Sequence, residues 1–300
     1  MTTIFVATDD GVATFDHEGR ALDVAHAGRS VTALGRMGDD VWAIVDAAEL
    51  WHSTEAGWTH AADLDGLRVT CVAGIGGAVF VGTSEARLFR LAGETLEPVP
   101  EFDDAEGRET WYTPWGGPPD TRSIANWDDD SYVNVHVGGI LRSVDGGGTW
   151  TPTIDIDADV HQVTTAEGMV LAACAGGLAA STDRGGTWTV RTDGLDTRYS
   201  RAVAVCGDAV LVSASNGPGG GNAGVYRGGL GGGAFERCVA GLPPSFGDNL
   251  DSHCLDALSD GSFAAFGTSD GNVYRSTDQG ERWDELASGL RSVLRVLVMP

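Results

Sequence analysis

Short segments in which apolar and polar residues alternate recur along the whole chain, separated by turns rich in Gly and Asp. Such period-2 patterning predicts β-strands with one buried face, and nothing in the sequence indicates a long helix. Seven of these segments are predicted to be the innermost strands of repeated units. They are SVTAL at Ser30, RVTCV at Arg68, RSIANW at Arg122, VHQVTTA at Val160, RAVAV at Arg201, HCLDALS at His253 and SVLRVLVM at Ser292.

The spacing of these segments indicates the architecture. Most intervals lie near the roughly 40 to 50 residues of propeller repeats, and the longer intervals coincide with loop insertions. We therefore predict an all-β fold, a seven-bladed β-propeller of four-stranded blades, in a single domain over residues 1–300. Six blades is the alternative if the degenerate first units form one blade fewer, and a parallel β-helix is a more distant one.

The two ends of the chain complement each other. TIFVATD and GVATFD open the first unit without a preceding inner strand, whereas SVLRVLVM at the C-terminus has no partners of its own. Pairing them completes one blade and removes an open sheet edge. The sequence therefore predicts a ring closed by the C-terminal strand.

One motif occurs three times, as SVDGGGTW from Ser143, STDRGGTW from Ser181 and STDQGERW from Ser276. An Asp carboxylate at the third position can accept backbone N–H groups, and a Gly at the fifth position can adopt positive φ, which predicts a hairpin turn closed by the Trp. We interpret the motif residues as structural. They are Ser143, Asp145, Gly147, Thr149, Trp150, Ser181, Asp183, Gly185, Thr187, Trp188, Ser276, Asp278, Gly280 and Trp283.

The motif resembles the Asp-box, or bacterial-neuraminidase (BNR) repeat, S-x-D-x-G-x-T-W; the third copy carries Arg282 in place of Thr. This repeat decorates the propellers of sialidases, other glycosidases, sorting receptors and photosystem II assembly factors, so it identifies architecture better than activity. The resemblance implies that the box lies between the third and fourth strands of a blade, on the face opposite the usual binding site.

Weaker or different turns are expected elsewhere. WHSTEAGW at Trp51 is a shortened box with Glu55 in place of Asp, and the run Asp128–Asp130 is interpreted as a turn between two strands. Local turns of this kind are far commoner than ligand roles for such carboxylates. We expect them to be structural.

Charge narrows the classes of partner. The chain has 43 acidic and 19 basic residues, a formal net charge of −24, and contains no Lys. An Asp-rich surface without Lys suits concentrated salt, where charge repulsion is screened, so we expect a halophilic protein; an acidic protein of a GC-rich mesophile is the lesser alternative. The missing basic surface argues against nucleic acid.

Localisation and covalent chemistry follow from what the sequence lacks. No signal peptide, membrane-spanning run or lipidation motif occurs, so we expect a cytoplasmic monomer without membrane insertion. Five cysteines without a C-x-x-C pair are expected to be buried, reduced core residues.

Binding chemistry is expected in loops. Three insertions map to the ends of strands opposite the boxes: an aromatic one from Glu101 to Ser123, NGPGGGNAG at Asn216 and GLPPSFGDNLDSH at Gly241. Loops on a rigid scaffold concentrate function, although an aromatic loop can also simply pack over a blade. Trp111 and Trp115 of the first insertion are the aromatic candidates.

Arginines recur at or before the inner strands, and guanidinium forks could gather there as an anion site, unless each pairs with a neighbouring Asp. Three histidines map near the same ends, but their spacing is not a recognised metal signature, so we expect no metal and no cofactor. These ligand-binding candidates are Arg29, Arg68, Arg122, Arg201, Arg291, His136, His161 and His253.

Catalysis is not indicated. A sialidase needs an arginine triad, a Tyr nucleophile with a Glu partner and an acid, and the sequence offers only Tyr112 and Tyr199 near the expected rim without an evident Glu. The sequence therefore favours a non-catalytic binding or assembly propeller, similar in repeat type to photosystem II assembly factors, that holds an unknown protein or an anionic small ligand. The alternative is a glycoside hydrolase or lyase of the BNR-repeat type acting on an anionic sugar.

Overall fold

The computed structural model describes residues 2–54 and 57–300, so the predicted Glu55 turn lies outside the described residues. Within these ranges the strands form seven four-stranded antiparallel sheets. The fold is a seven-bladed β-propeller, which confirms the predicted class and makes the six-bladed alternative wrong. Helical structure in this part of the chain is limited to α1 (Pro100–Asp103) and to 3₁₀ turns at Ser84–Ala86, Arg108–Thr110 and Ile156–Ala158.

The first sheet combines both ends of the chain. Its order is β28 (Val293–Met299), β1 (Thr3–Thr8), β2 (Gly11–Asp16) and β3 (Ala21–Ala25). Thr3 lies opposite Met299 and Val6 opposite Val296 in an antiparallel register. The predicted closure by the C-terminal strand is confirmed, and the buried Val296 shows that β28 contributes to the core as well as to the hydrogen bonds.

By its contacts the described chain separates into two compact units. Unit 1 comprises the chain up to Ser30, Ala173–Ala179 and Val190–Pro300, and unit 2 comprises Val31–Ala172 and Ala180–Thr189. Besides the first sheet, unit 1 holds two complete sheets. Their strands are β20 (Tyr199–Cys206), β21 (Ala209–Ser215), β22 (Gly224–Gly229) and β23 (Gly232–Arg237), then β24 (Leu255–Ala257), β25 (Ala264–Gly267), β26 (Val273–Ser276) and β27 (Asp284–Ala287).

Unit 2 holds three complete sheets. Their strands are β4 (Val31–Met37), β5 (Asp40–Val45), β6 (Glu49–Thr54) and β7 (Gly57–Asp63); β8 (Val69–Ile75), β9 (Ala78–Thr83), β10 (Arg87–Ala92) and β11 (Thr95–Pro98); and β12 (Thr121–Trp127), β13 (Asp130–Val135), β14 (Gly139–Ser143) and β15 (Thr151–Pro152). The remaining sheet has residues in both units. It consists of β16 (Val160–Ala166), β17 (Met169–Cys174), β18 (Gly177–Ser181) and β19 (Thr189–Arg191).

Each predicted inner segment coincides with the innermost strand of its sheet, and these inner strands pack on one another. In unit 2, β4, β8, β12 and β16 contact their neighbours in that order, and in unit 1, β20, β24 and β28 do the same. The end of a blade at which its inner strand begins is called the upper end below. The opposite end, where the inner strand turns into the second strand, is called the lower end.

The three motif turns lie at lower ends, each between the third and fourth strands of its sheet, where the resemblance places them. In the turn from Ser181, Ser181 Oγ donates to Asp183 Oδ1 at 2.8 Å and accepts the N–H of Gly185 at 2.8 Å. Asp183 in turn accepts the backbone N–H and the hydroxyl of Thr187, each at 2.8 Å. The same Ser–Asp–Gly pattern occurs in the turns from Ser143 and Ser276.

The tryptophans close these turns in two ways. Trp150 and Trp283 are buried and donate from Nε1 to the carbonyls of Gly147 and Gly280, each at 3.1 Å. Trp188 instead donates to Thr153 O of the preceding sheet at 2.9 Å. The motif therefore stabilises its own hairpin in two copies and joins neighbouring sheets in the third.

The aspartate run lies at a turn and the cysteines lie in the core, the positions that the sequence predicts. Asp128 and Asp129 form the turn between β12 and β13, and Asp130 begins β13. All five cysteines are buried and free of disulfides. Burial raises the pKa of Cys254 to about 12, so this thiol stays protonated and inert.

Candidate functional site

The first insertion is anchored at its base in unit 2. Phe102 is fully buried and packs edge-on against Trp150 of the first motif turn, with ring centroids 5.3 Å apart. Trp111 lies 6.1 Å from Phe102 and beneath the Arg108 guanidinium, 4.9 Å from its ring centroid. Arg108 also donates to the carbonyl of Ala86 at 2.8 Å. Trp111 therefore belongs to the packing of the insertion rather than to an open surface.

The tip of the insertion is exposed to solvent but fixed in place by hydrogen bonds and a ring contact. Tyr112 is 46% exposed and Trp115 is 68% exposed. Thr113 Oγ1 donates to the carbonyls of Gly116 and Gly117 at 2.8 and 3.1 Å, which closes the turn that carries Trp115. Trp115 lies against the His136 ring with centroids 5.1 Å apart. The insertion thus presents an aromatic surface on a fixed base.

Beneath Trp115 the structure brings together two of the predicted histidines and an aspartate. His136 follows β13 and precedes β14, so it lies at the upper end of that hairpin; Asp159 and His161 lie where β16 begins. Asp159 Oδ1 is 3.1 Å from His136 Nε2 and 3.6 Å from His161 Nε2. The imidazole side chains are 3% and 0% exposed and the carboxylate is 24% exposed. We call these three residues the upper cluster.

The upper cluster stabilises a negative charge in a largely buried position. Burial alone favours the neutral acid, but His136, His161 and Arg122 together outweigh it and lower the pKa of Asp159 below its ordinary value. Oδ1 is buried and, among the described residues, has no hydrogen bond of good geometry despite the short distance to His136. Three potential metal-ligand atoms, one from each residue, all lie within 4.8 Å of one another.

Two of the arginine candidates are paired with carboxylates. Arg68 donates to Asp120 Oδ2 at 3.1 Å within unit 2, and Arg201 pairs with Asp251 within unit 1 and lies over the Tyr199 ring. In unit 2, Arg122 lies near the upper cluster. In unit 1, Arg29 and His253 are half-buried and Arg291 is exposed.

The other insertions pack together in unit 1. Gly221 N–H donates to the carbonyl of Gly247 at 2.8 Å, and Asn249 Nδ2 donates to the carbonyls of Gly217 and Pro218 at 3.2 and 3.1 Å. A cavity of about 280 Å³ lies beside them, lined in part by Phe246, Asp248 and Tyr274. At the lower ends of unit 2 a more open groove of about 530 Å³ is lined by Arg36, Asp128, Asp145 and neighbouring residues.

A second group with metal-ligand atoms is more exposed. Glu49, His60 and Asp63 lie on the outer strands β6 and β7. Their atoms are already hydrogen-bonded, because His60 Nε2 lies 2.8 Å from Asp63 and Glu49 accepts Trp51 Nε1 at 2.9 Å. We call it the outer cluster.

Sequence reasoning found both histidines and Trp115 but missed the carboxylates, Asp120, Asp159 and Asp251. Asp159 stands two residues before His161, but its left-handed backbone (φ 47°) interrupts the alternation of an extended strand, so spacing alone does not place it beside that histidine. Nothing local indicates that Asp120 and Asp251 neutralise arginines from other strands.

Comparisons with known proteins identify the fold. No family model matches the chain, and no curated protein matches it significantly. Among solved structures, the GH74 xyloglucanase of Xanthomonas campestris has a TM-score of 0.71 at 16% identity over 95% of this chain. The chain spans about half of that enzyme's length, 52%.

Two structures of YCF48 are also similar to this chain. YCF48 from Cyanidioschyzon merolae has a TM-score of 0.61 at 15% identity and covers 97% of this chain and 90% of its own. YCF48 bound to a D1 peptide has a TM-score of 0.58 at 14% identity, with 87% and 83% covered. These likenesses show the propeller fold, which hydrolases and assembly proteins share. In the described ranges no helix is long and apolar enough to span a membrane.

Proposed function

We propose that the protein is a non-catalytic binding or assembly propeller that holds a protein segment at the upper end of unit 2. The observation that carries this proposal is the exposed Trp115 fixed above His136 by a well-packed insertion. A rigid, exposed indole is the side chain most enriched at the centre of protein interfaces, because it contributes large contact area at low entropic cost.

The upper ends also suit a polypeptide better than a simple anion. Arg68 and Arg201 each have a carboxylate partner, which leaves less positive charge for an anionic ligand than the sequence suggested. Tyr112 and Trp115 offer apolar contact with hydrogen-bonding edges, which accommodates a peptide in salt. YCF48 bound to a D1 peptide gives a precedent for peptide binding by this fold.

We also infer that the three motif turns are of the BNR/Asp-box type and that the chain operates in concentrated salt. The box inference rests on the repeated Ser–Asp–Gly hydrogen bonds at the lower ends. The salt inference rests on the net charge of −24 and the absence of Lys.

A peptide-display selection against the protein in molar KCl tests the proposal. Peptides selected by the native protein should lose at least about tenfold in affinity with Trp115→Ala, since a central aromatic anchor contributes about 2 kcal/mol or more. Val190→Ala is the matched control, because Val190 is a 56% exposed apolar residue on β19 and not part of the insertion. Equal loss in the control, or no selection at all, would contradict the proposal.

An enzyme assay addresses the competing function. Anionic glycosides incubated with the native protein at molar salt should show no turnover. Turnover that Arg122→Ala abolishes would replace the binding function with glycoside hydrolase or lyase activity.

A further inference from the structure

We propose that the upper cluster, His136, Asp159 and His161, is a binding site for a divalent first-row transition metal ion. This departs from the expectation drawn from the spacing of the histidines alone, and it does not depend on the proposed binding function. The inference rests on three features of the cluster: the types of its donor atoms, their separations and their burial.

The donor atoms suit a transition metal. Two imidazole nitrogens and one carboxylate oxygen are the ligand set found in three-ligand zinc sites and in non-haem iron sites. Hard cations such as Mg²⁺ and Ca²⁺ prefer oxygen ligands alone. Three protein ligands leave at least one position for water or for a group of a bound partner.

The separations are those of ligands around one ion. Bonds of about 2.0–2.1 Å in a tetrahedral site place neighbouring ligand atoms about 3.3 Å apart. Asp159 Oδ1 lies 3.1 Å from His136 Nε2 and 3.6 Å from His161 Nε2, and the three ligand atoms lie within 4.8 Å of one another. Only small side-chain adjustments are needed to coordinate an ion.

Burial separates the upper cluster from an ordinary surface ion pair. A buried carboxylate oxygen is normally satisfied by aligned hydrogen bonds, but the 3.1 Å contact of Asp159 Oδ1 with His136 Nε2 is poorly aligned, and no other described residue donates to this oxygen. In the outer cluster, by contrast, His60 and Asp63 are exposed and hydrogen-bonded to each other at 2.8 Å. An ion would give Asp159 Oδ1 a well-aligned partner in the upper cluster, whereas in the outer cluster it would have to displace the hydrogen bond between His60 and Asp63.

The site can be tested with Co²⁺, whose visible absorption reports its coordination, on EDTA-treated protein in molar KCl. The high salt suppresses diffuse binding of cations to the acidic surface. Native protein should take up one Co²⁺ per chain with an intense visible band, and Zn²⁺ should displace it. Asp159→Asn and His136→Gln should each weaken Co²⁺ binding by at least about 100-fold, since even outer-shell changes cost 10- to 100-fold.

Asp63→Asn is the matched control, because it removes the same charge from the His–Asp pair of the outer cluster. It should leave the Co²⁺ affinity unchanged. Near-ultraviolet circular dichroism verifies folding, and Zn²⁺ should raise the melting temperature of the native protein and of Asp63→Asn but not of Asp159→Asn. Absence of a cobalt band with native protein, retention of binding in Asp159→Asn, or loss in Asp63→Asn alone would overturn the proposal. Trp115→Ala should keep the metal, so failure of the metal site and failure of peptide binding are distinguishable.

Discussion

Arg142 donates from Nη2 to both carboxylate oxygens of Asp130, at 2.9 Å each, across the β13–β14 hairpin. Arg184 adds a bond to Asp130 Oδ2 at 3.0 Å from the Ser181 turn, and the carboxylate is only 3% exposed. Tyr132 lies beside it, and burial together with the Asp130 charge raises the pKa of its hydroxyl to about 12, so it remains a proton donor. A buried acid thus links the β13–β14 hairpin to the turn from Ser181 within unit 2.

Asp130→Asn should destabilise the protein by about 2 kcal/mol, because it leaves Arg142 and Arg184 without their shared anion in a partly buried position. Asp129→Asn removes the same charge from the exposed turn next to it and should change stability by less than about 0.5 kcal/mol. Denaturant unfolding at constant molar KCl measures both. Equal effects would mean that the network adds nothing beyond charge.

Acid should unfold the protein partly through the motif turns. The backbone N–H of Thr187, the Ser181 hydroxyl and the Thr187 hydroxyl lower the pKa of Asp183 to about 2. A group whose pKa is lower in the folded state stabilises the fold above its unfolded pKa and loses that contribution as the pH falls towards the folded value. Stability should therefore decline between about pH 4 and pH 2.

Asp183→Asn should flatten that decline, because an amide does not titrate and its hydrogen bonds do not weaken as the pH falls towards the pKa of Asp183. Asp193→Asn, an exposed residue of the loop after β19, controls for the loss of one negative charge. Melting temperatures measured across the acid range give the slopes. If the melting temperature of Asp183→Asn falls with pH as steeply as that of the native protein, the Asp183 carboxyl is not the group whose protonation destabilises the fold.

Two glycines of the motif should respond differently to alanine although both have positive φ, 95° at Gly147 and 87° at Gly280. A Cβ at Gly280 would lie 2.5 Å from Leu211 Cδ2, a contact that forces movement in a packed core. At Gly147 the nearest atom, Phe80 Cζ, is 3.4 Å away. Gly147→Ala should cost about 1 kcal/mol from backbone strain, and Gly280→Ala about 2–3 kcal/mol from strain plus overpacking. If urea unfolding gives similar losses of unfolding free energy for the two variants, backbone strain explains both and overpacking against Leu211 contributes nothing.

How far the sequence predicts the structure depends on the range of the interactions. The strands are predictable because a half-buried strand imposes alternation on its own residues, as in VHQVTTA. The motif turns are predictable because the bonds among Ser181, Asp183, Gly185 and Thr187 span at most four residues. Local chemistry of this kind can be read directly.

The upper cluster could be predicted only in part. His136 and His161 stand out as residue types, but their approach to Asp159 depends on how the hairpin β13–β14 packs beside β16. Arg68 likewise looks available until the fold brings Asp120, 52 positions away, within 3.1 Å. Because the chain has many more acidic than basic residues, such pairs are common. The sequence spacing alone does not show which acid pairs with a given arginine.

Salt should govern stability. At about 0.1 M salt the Debye length is about 10 Å and the net charge of −24 repels itself across the surface, whereas at 1 M it falls to about 3 Å. The melting temperature should rise steeply between about 0.1 and 3 M KCl. A melt that is flat over this range would contradict the halophilic interpretation, and a comparison of KCl with an equal osmolarity of sucrose separates charge screening from solute exclusion.

Removing the C-terminal strand should cause aggregation more than a simple loss of stability. β28 covers the edge of β1 along Thr3–Thr8, and Val296 and Val298 are buried in the core of that sheet. Deleting residues 292–300 would leave the N–H and C=O groups of β1 unpaired beside the newly exposed Ile4 and Val6, which is a template for pairing with another chain. Light scattering at increasing protein concentration should show growing assemblies in molar KCl. Val296→Ala keeps the backbone of β28 while removing core volume, so it should lower the melting temperature and remain monodisperse. If the deletion variant also stays monodisperse, the pairing of β28 with β1 stabilises the protein through core packing and does not serve to protect the edge of β1.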